Sequence, residues 1–400
     1  MLTLAEAQHR IVSSINPLED EVVDLKDAAN RILRQEVLAA IDLPRFNNSA
    51  MDGYAVRSGD LALATDASPV ALHLTGTAAA GRIYEGSMSA GSCVRVFTGS
   101  LLPGGADAVV MQEDVRIRPE MPNRVWFSEP VEPLEFVRRE GEDVRVGDVL
   151  AGPGERLGAG HVALLGAVGT ARVRVGRRPI VGLLATGNEL REPGSSLAEG
   201  QIYESNRAAI AVMAAQAGAQ PRWFPLVPDD ADVTRRALST AFAECDAVIT
   251  SGGVSVGELD FVKSAFEGIG GRLEFWKVAM KPGKPFVFGH FDRKRLFGLP
   301  GNPLSALVTF HLLVRPALLR LQGAADWSLP VRRCELAESL VNKGDRPHFI
   351  CVSLEAGAAK SAGKQGSHRL RGLAQAEGLV EVPAGSTLPA GRVVSVLAWV

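Results

Sequence analysis

The residues best suited to chemistry lie in Val248-Ile249-Thr250-Ser251-Gly252-Gly253-Val254-Ser255-Val256-Gly257-Glu258-Leu259-Asp260. An apolar run that reads as a strand stops in a turn holding three glycines and two serines, and a helix is expected behind it. Backbone N–H groups in such a turn, with a helix N-terminus at their back, suit phosphate or another oxyanion. The plainer reading is a tight strand-to-helix turn with no ligand. Glu258 and Asp260 follow at once. Two carboxylates beside an anion site repel the ligand unless a cation intervenes, and Mg²⁺ takes one or two carboxylates together with phosphate oxygens. Either acid could instead complement the helix dipole.

Acids recur at two other expected strand ends. Thr186-Gly187-Asn188-Glu189 follows the apolar run 180–185, and Asp229-Asp230 follow the strand near Leu226. Asp230 is placed to cap a helix, which leaves Asp229 for a ligand role. Three acidic loops at three strand ends should converge on one crevice if the strands are parallel. Three of the nine lysines, Lys277, Lys281 and Lys284, fall within eight positions of one another, and lysine offers a compact point charge to an oxyanion. A solvated surface turn is the plain alternative. Gly298-Leu299-Pro300-Gly301-Asn302-Pro303 is a second glycine and proline loop, readable on its own as a rigid turn and a helix start. In the N-terminal half, residues 48–55, 96–99 and 138–143 are polar breaks whose residue types alone say turn.

The bulk properties narrow the class. A chain of 400 residues exceeds one hydrophobic core, so two to four domains are expected. The hydrophobic fraction of 46% and charged fraction of 22% argue against disorder. A net charge of -2 gives no general reason to expect nucleic acid or an anionic membrane as partner, so any bound anion needs a local site. Cys93, Cys245, Cys334 and Cys351 show no metal-ligand spacing and read as idle thiols in a reducing compartment. The N-terminus has no secretory pattern and no apolar stretch approaches transmembrane length, so a cytoplasmic protein is expected.

The elements that must position these residues follow from periodicity. Thr3 and Glu6 form a capping box ahead of a helix with Leu4, Ala7, Ile11 and Ile15 on one face. A second helix is expected around 25–33. Residues 46–145 carry short alternating stretches (92–97, 108–115, 124–127) of a small β-domain. A helix at 161–168 and a strand at 171–175 come next. The β insertion between helical pieces suggests that 1–45 and 146–177 pack as one helical linker domain. From 178 to 325 the pattern alternates: strands at 180–185, 222–226, 247–250, 286–288 and 296–299 and helices at 205–217, 230–244 and 261–266. A long helix then runs from Pro303 to Leu321. Ser205 and Asn302 are the expected caps. This predicts a parallel, doubly wound sheet with its ligand beyond the strands' carboxyl ends. Residues 326–400 read as a separate C-terminal β-domain with a mobile loop at 356–367.

The segments Ala50-Met51-Asp52-Gly53-Tyr54-Ala55-Val56-Arg57, Gly141-Glu142-Asp143, 251–260, Lys281-Pro282-Gly283-Lys284-Pro285-Phe286 and 298–303 resemble the MoeA family of molybdopterin molybdenumtransferases. The C-terminal domain of gephyrin belongs to the same family. The resemblance covers essentially the whole chain, with the motifs in the same order. It implies a MogA-like α/β pterin-binding domain, a helical linker domain with an inserted small β-domain, and a barrel-like C-terminal β-domain. It also implies the activity: molybdate is inserted into adenylylated molybdopterin and AMP is released, assisted by Mg²⁺. The resemblance further implies an elongated homodimer whose cleft joins the pterin-binding domain of one subunit to the N-terminal β-domain of the other.

Carried onto matching positions, the family's functional residues are Asp52, Thr98, Arg138 and Asp143 in the N-terminal half. In the α/β domain they are Glu189, Asp229, Asp260, Lys277, Lys281, Pro300 and Pro303. Glu189, Asp229 and Asp260 are the implied metal ligands. Ser251, Gly252, Gly253, Ser255, Gly257 and the lysines are the expected anion contacts. The chain departs from the family's Thr-Gly-Asp-Glu-Leu with Thr186-Gly187-Asn188-Glu189-Leu190. It departs again in the C-terminal domain, where Asp345-Arg346-Pro347-His348-Phe349 and Arg371-Gly372 replace the usual residues. Arg346 is the one position there kept as a candidate. The molybdopterin adenylyltransferase is a possible partner; nucleic acid and membrane are not expected. Adenylylation of molybdopterin, a scaffold role like gephyrin's, and a preference for tungstate are the alternative readings.

Overall fold

The computed structural model describes residues 1–253, 261–363, 365–367 and 369–399. They form two compact units. One holds Met1–Gln35, Pro153–Gly158 and Val173–Val400; the other holds Glu36–Gly152 and Ala159–Arg172. The first helix, α1 (Leu4–Ser13), starts on the expected box: Glu6 N–H donates to Thr3 Oγ1, and Thr3 N–H donates to the Glu6 carboxylate at 2.8 Å. The expected helix at 25–33 is a single 3₁₀ turn, Leu25–Asp27, followed by Asn30 at φ 63°, a left-handed residue that no helix continues through.

The smaller unit is a six-stranded sheet of β1 (Gly53–Val56), β2 (Val70–Ala78), β3 (Ser92–Val96), β4 (Ala108–Met111), β5 (Val115–Ile117) and β6 (Arg124–Phe127). Its order is β4-β1-β3-β2-β6-β5. Successive residues point to opposite faces, so Tyr54, Val56, Leu72, Cys93 and Phe127 build one core while Ala55, Val94, Val96 and Val109 build another. Helix α2 (Ala159–Ala167) belongs to this unit, whereas α1 belongs to the larger one. The flanks expected to pack together do pair in strands, Asp20–Asp24 with Arg172–Gly176 and Val37–Leu38 with Val149–Ala151, while their helices fall in different units.

In the larger unit, β7 (Ile180–Ala185), β8 (Gln220–Trp223), β9 (Ala247–Ser251), β10 (Arg272–Lys277), β11 (Pro285–Phe291) and β12 (Lys294–Leu299) form a sheet of order β8-β7-β9-β12-β11-β10. Strands β8, β7, β9 and β12 are parallel, as expected, but β11 runs antiparallel to both neighbours. The cause is local. Only Asp292 and Arg293 separate Phe291 from its partner Lys294, and Asp292 takes φ 54°, so the link is a two-residue hairpin with no room for a crossover. Strand β10, half exposed, lacked a clean period and was not expected.

Helices α3 (Asn206–Gln216), α4 (Ala231–Glu244) and α5 (Val262–Gly268) connect the strands. The long helix is real but composite: α6 (Pro303–Thr309), a π turn Phe310–Val314, and α7 (Arg315–Leu321). Pro316 has no N–H for the carbonyl of Leu312. Gln8 on α1 supplies the missing donor, its Nε2 lying 2.8 Å from that oxygen. By length and apolarity the run Pro303–Leu321 is the one described helix that could cross a membrane, but 83% of it is buried inside the protein, the signature of a core helix.

Neither expected side-chain cap forms. The carboxylate of Glu204, not Ser205, takes the first free N–H of α3, from Arg207 at 2.8 Å, and Asn302 contributes only its carbonyl, to Ala306 N. The C-terminal strands β13 (Val331–Leu336), β14 (His348–Glu355), β15 (Ala358–Ser361), β16 (Gly378–Val382) and β17 (Val393–Ala398) close into a barrel of order β13-β15-β14-β16-β17. Part of the segment expected as a loop is thus a barrel strand, β15. The barrel is not a separate body, because Phe349, Cys351 and Leu379 share one core with Phe286, Phe310 and Leu313. Replacing Gln8 with Ala leaves the Leu312 carbonyl without its donor and should cost about 1–2 kcal/mol, read as a lower urea midpoint at unchanged slope.

Candidate functional site

Strands β7, β9 and β12 end level with one another: Ala185 pairs with Ser251, and Ser251 with Leu299. The loops that leave these ends line a cavity of about 670 Å³. Its walls include Thr186, Glu189, Asp229, Ser251, Gly252, Gly253 and Pro303. Six of the candidate residues therefore meet at one crevice on the carboxyl edge of the sheet.

The glycines are needed there. Gly252 and Gly253 take φ 87° and 66°, and a Cβ on either would lie 2.7 Å from the Thr186 carbonyl or the Val262 side chain, respectively. Gly301 packs against them at ordinary contact, its own Cβ position 3.7 Å from Gly252 Cα. One side chain joins the two glycine loops. The amide of Asn206, the first residue of α3, donates to Ser251 Oγ and to the Gly301 carbonyl, both at 2.7 Å.

The acids divide their work. Asp230 accepts from Val233 N at 2.8 Å and caps α4, while Asp229 faces the cavity. Asn188 and Asp229 bind reciprocally, each backbone N–H donating to the other's side chain at 3.1 Å. The glutamate carboxylate of residue 189 folds over Gly187, where a Cβ would come within 2.6 Å of Oε2. Asp260, Ser255 and Gly257 lie outside the described residues. Among the described residues no three acidic, His or Cys side chains gather as a complete ligand set; of the acids on the wall, Glu204 is paired with Arg207, which leaves Glu189 and Asp229. The buried hydroxyl of Thr186, also on the wall, has no partner among the described residues.

Other candidates stand apart from this cavity. Pro300 is buried and does not line it. Lys277 ends β10 with its Nζ 3.6 Å from the Trp276 ring centre, and Lys281 is held by backbone bonds to Pro347 and Phe349. Strand β10 runs parallel to β7, β9 and β12, so Lys277 does sit on the same edge. It is three strand spacings from β9, roughly 14 Å. Arg346 binds Asp345 and reaches the Met280 carbonyl at 3.4 Å, bracing the lysine loop from the barrel.

In the smaller unit, Asp52 Oδ1 accepts both the N–H and the hydroxyl of Thr98, each at 2.8 Å. Arg138 pairs with Asn48 across a short antiparallel ladder, and Asp143 N–H donates to Leu43 O at 3.0 Å. Residues 48–52 thus collect Asp52, Thr98 and Arg138 on exposed polar turns, with Asp143 on an adjoining one.

Sequence reasoning missed three residues of the crevice. Besides Asn206, Arg207 and Glu204 form a buried ion pair at 3.0 Å, 2% and 4% exposed, with Glu204 on the cavity wall and Arg207 also holding Glu192 at 2.6 Å. The signal was an acid three residues ahead of an arginine at a helix start, which reads as surface until the strand order buries it. Burial pushes the thiols of Cys93 and Cys351 up to about 12 and that of Cys245 to about 11.

Residues 2–169 match the MoeA N-terminal region (domain I and II), residues 182–320 a probable molybdopterin binding domain, and residues 333–399 the MoeA C-terminal region (domain IV). Fold and cavity together define a multidomain protein built around a pterin-binding α/β domain. The chain is 40% identical to a molybdopterin molybdenumtransferase of Haemophilus influenzae, over 92% of this chain and 91% of that one. It is 35% identical to molybdopterin molybdenumtransferase 2 of Mycobacterium tuberculosis, over 96% of each. A crystal structure of a molybdopterin biosynthesis MoeA protein from Pyrococcus horikoshii superposes with a TM-score of 0.85 at 29% identity, covering all of both chains. The chain belongs to the MoeA family.

The bonds from the Thr98 backbone, first, and its hydroxyl, second, hold the Asp52 carboxyl below the usual carboxylate range. The stability this lends is fully present above the ordinary carboxylate pKa and is lost as pH falls through the lowered value. In Thr98→Val the backbone donor survives and the hydroxyl does not. The carboxyl-carbon NMR titration of Asp52 should then move up in pH yet stay below an ordinary aspartate; an unmoved midpoint counts against the hydroxyl bond.

Proposed function

We propose that this chain is a molybdopterin molybdenumtransferase, placing molybdenum from molybdate in adenylylated molybdopterin with release of AMP. The observation that carries this reading is the crevice where Glu189 and Asp229 face the Gly252–Gly253 turn, within the segment that matches a molybdopterin binding domain. In that turn the Gly252 N–H is taken by the Leu299 carbonyl at 3.1 Å, which leaves the Gly253 N–H to offer a phosphate, and Asn206 keeps the turn and the Gly301–Pro303 loop at a fixed separation. The reciprocal bonds with Asn188 keep Asp229 pointed inward.

Glu189 and Asp229 would hold Mg²⁺, with substrate oxygens completing its shell, and the unpartnered Thr186 hydroxyl beside them fits a site made for a polar ligand. When bound, the ion supplies Lewis acidity toward the phosphoanhydride and molybdate. Without a cation the two carboxylates would repel both anions. We further propose a homodimer working in the cytoplasm; the four free thiols suit a reducing compartment. The molybdopterin adenylyltransferase, as the supplier of the adenylylated substrate, is the partner this activity would meet.

The deciding assay supplies pure protein with adenylylated molybdopterin, molybdate and Mg²⁺ and reads reconstitution of an apo-molybdoenzyme. Transfer is expected, with tungstate run in parallel to rank the two oxyanions. Asp229→Asn should lower transfer by ~10²-fold while leaving the thermal midpoint within a few degrees. Release of AMP from the pterin with no gain of molybdenum would sink the proposal. Light scattering at the mass of a single chain would remove the dimer.

A further inference from the structure

A second cavity, about 460 Å³ in volume, opens at the other edge of the same sheet. Its wall includes Arg156, Arg178, Arg315, His311, Gly218 and Trp399. Arg178 stands two residues before β7 begins, whereas the candidate active site opens after β7 ends. Six strand residues separate the two cavities by roughly 20 Å.

Three guanidiniums share this wall, and none of the three is in an ion pair among the described residues. Their bonds go to neutral partners instead. Arg156 donates to the Gln216 carbonyl at 3.2 Å, and Arg315 donates to the carbonyls of Trp327 and Ser328, both at 3.0 Å. The Nε of Arg178 is buried and has no partner among the described residues. Uncompensated guanidiniums brought together cost free energy, since arginine cannot shed its proton.

The floor is equally specific. His311 is 4% exposed, and its Nδ1 also lacks a partner among the described residues. The ring is stacked on Trp399 at 4.6 Å and 8°, and Trp399 is fixed by its indole N–H to the Ala376 carbonyl at 3.2 Å. Burial, with Arg315 second, pushes the His311 pKa down to about 3, so the imidazole is neutral and its nitrogen is free to bond a ligand oxygen. The carboxyl end of α3 also borders the cavity and would repel an anion. Its carbonyls are already covered: Gln216 O by Arg156, and Ala217 O by the Gln322 amide at 2.8 Å. Asp326 is a carboxylate near Arg315, engaged by Ser328.

We propose that this cavity is a second ligand site, built for a small organic anion that presents a phosphate or paired carboxylates to Arg156, Arg178 and Arg315 against the Trp399–His311 floor. Planar guanidiniums recognise both groups by two-pronged hydrogen bonding, and the volume exceeds what inorganic phosphate needs. The site is independent of the proposed transferase reaction.

Calorimetric titration of the full chain at constant ionic strength tests it, with glycerol 3-phosphate and citrate as separate probes. At least one should bind with a dissociation constant below 1 mM on the order expected for clustered arginines, and the one that does names the class. Arg178→Ala and Arg156→Gln should each weaken that probe at least about tenfold. Arg236→Gln, removing an exposed charge from α4, should not. Arg156 is exposed, so its variant remains informative if Arg178→Ala fails to fold. A selenate soak should place anomalous density among the three arginines. Binding of neither probe, equal loss in all three variants, or selenate density confined to the Gly252–Gly253 crevice overturns the proposal.

Discussion

Three parallel strands that end at one level are what the crevice depends on. Because Ala185, Ser251 and Leu299 stand side by side, every loop leaving those strands must turn at the same height. A slip by one residue would reverse which side chains face each layer and would carry Ser251 out of line with Thr186. The Asn206 amide acts on that framework as a spacer between the two glycine turns, and Asn188 does the same for Asp229. The carboxylates can then sit close to the Gly252–Gly253 turn without their direction being left to chance.

What could be read from residues alone was whatever depended on short-range pattern. The capping box at Thr3, the apolar strand before Ser251 and the meeting of the Glu189 and Asp229 loops all follow from periodicity and strand-end logic. Failures came where partners are distant in the chain. Ser205 and Asn302 are ideal cap types, yet Glu204 takes over the first because Arg207 is buried against it. The hairpin at Asp292 reversed a strand because two residues cannot make a crossover. The N-terminal cluster of Asp52, Thr98, Arg138 and Asp143 looked like ordinary turns, and only resemblance singled it out. Its members come from three separate stretches, which no local signal connects.

The larger unit contains two polar cavities at opposite edges of one sheet, with opposite electrostatic character. At the carboxyl edge, acids and backbone donors are interleaved, a combination that suits an anion arriving with a cation. At the amino edge the charges are guanidiniums alone. The sheet core between them, filled by Leu183, Ile249, Phe288 and Phe297, is too well packed to pass charge or water from one to the other.

The bond from Gln8 to Leu312 spans 304 positions of the chain. During synthesis the N-terminal helix emerges early, but the carbonyl that needs its amide does not exist until most of the protein has been made. The smaller unit, by contrast, is nearly continuous in sequence and can close its sheet while the ribosome is still at work on the pterin-binding segment. The amphipathic helix that opens the chain must therefore travel with its apolar face unclaimed, and its docking onto the composite core helix marks completion of the larger unit rather than its start.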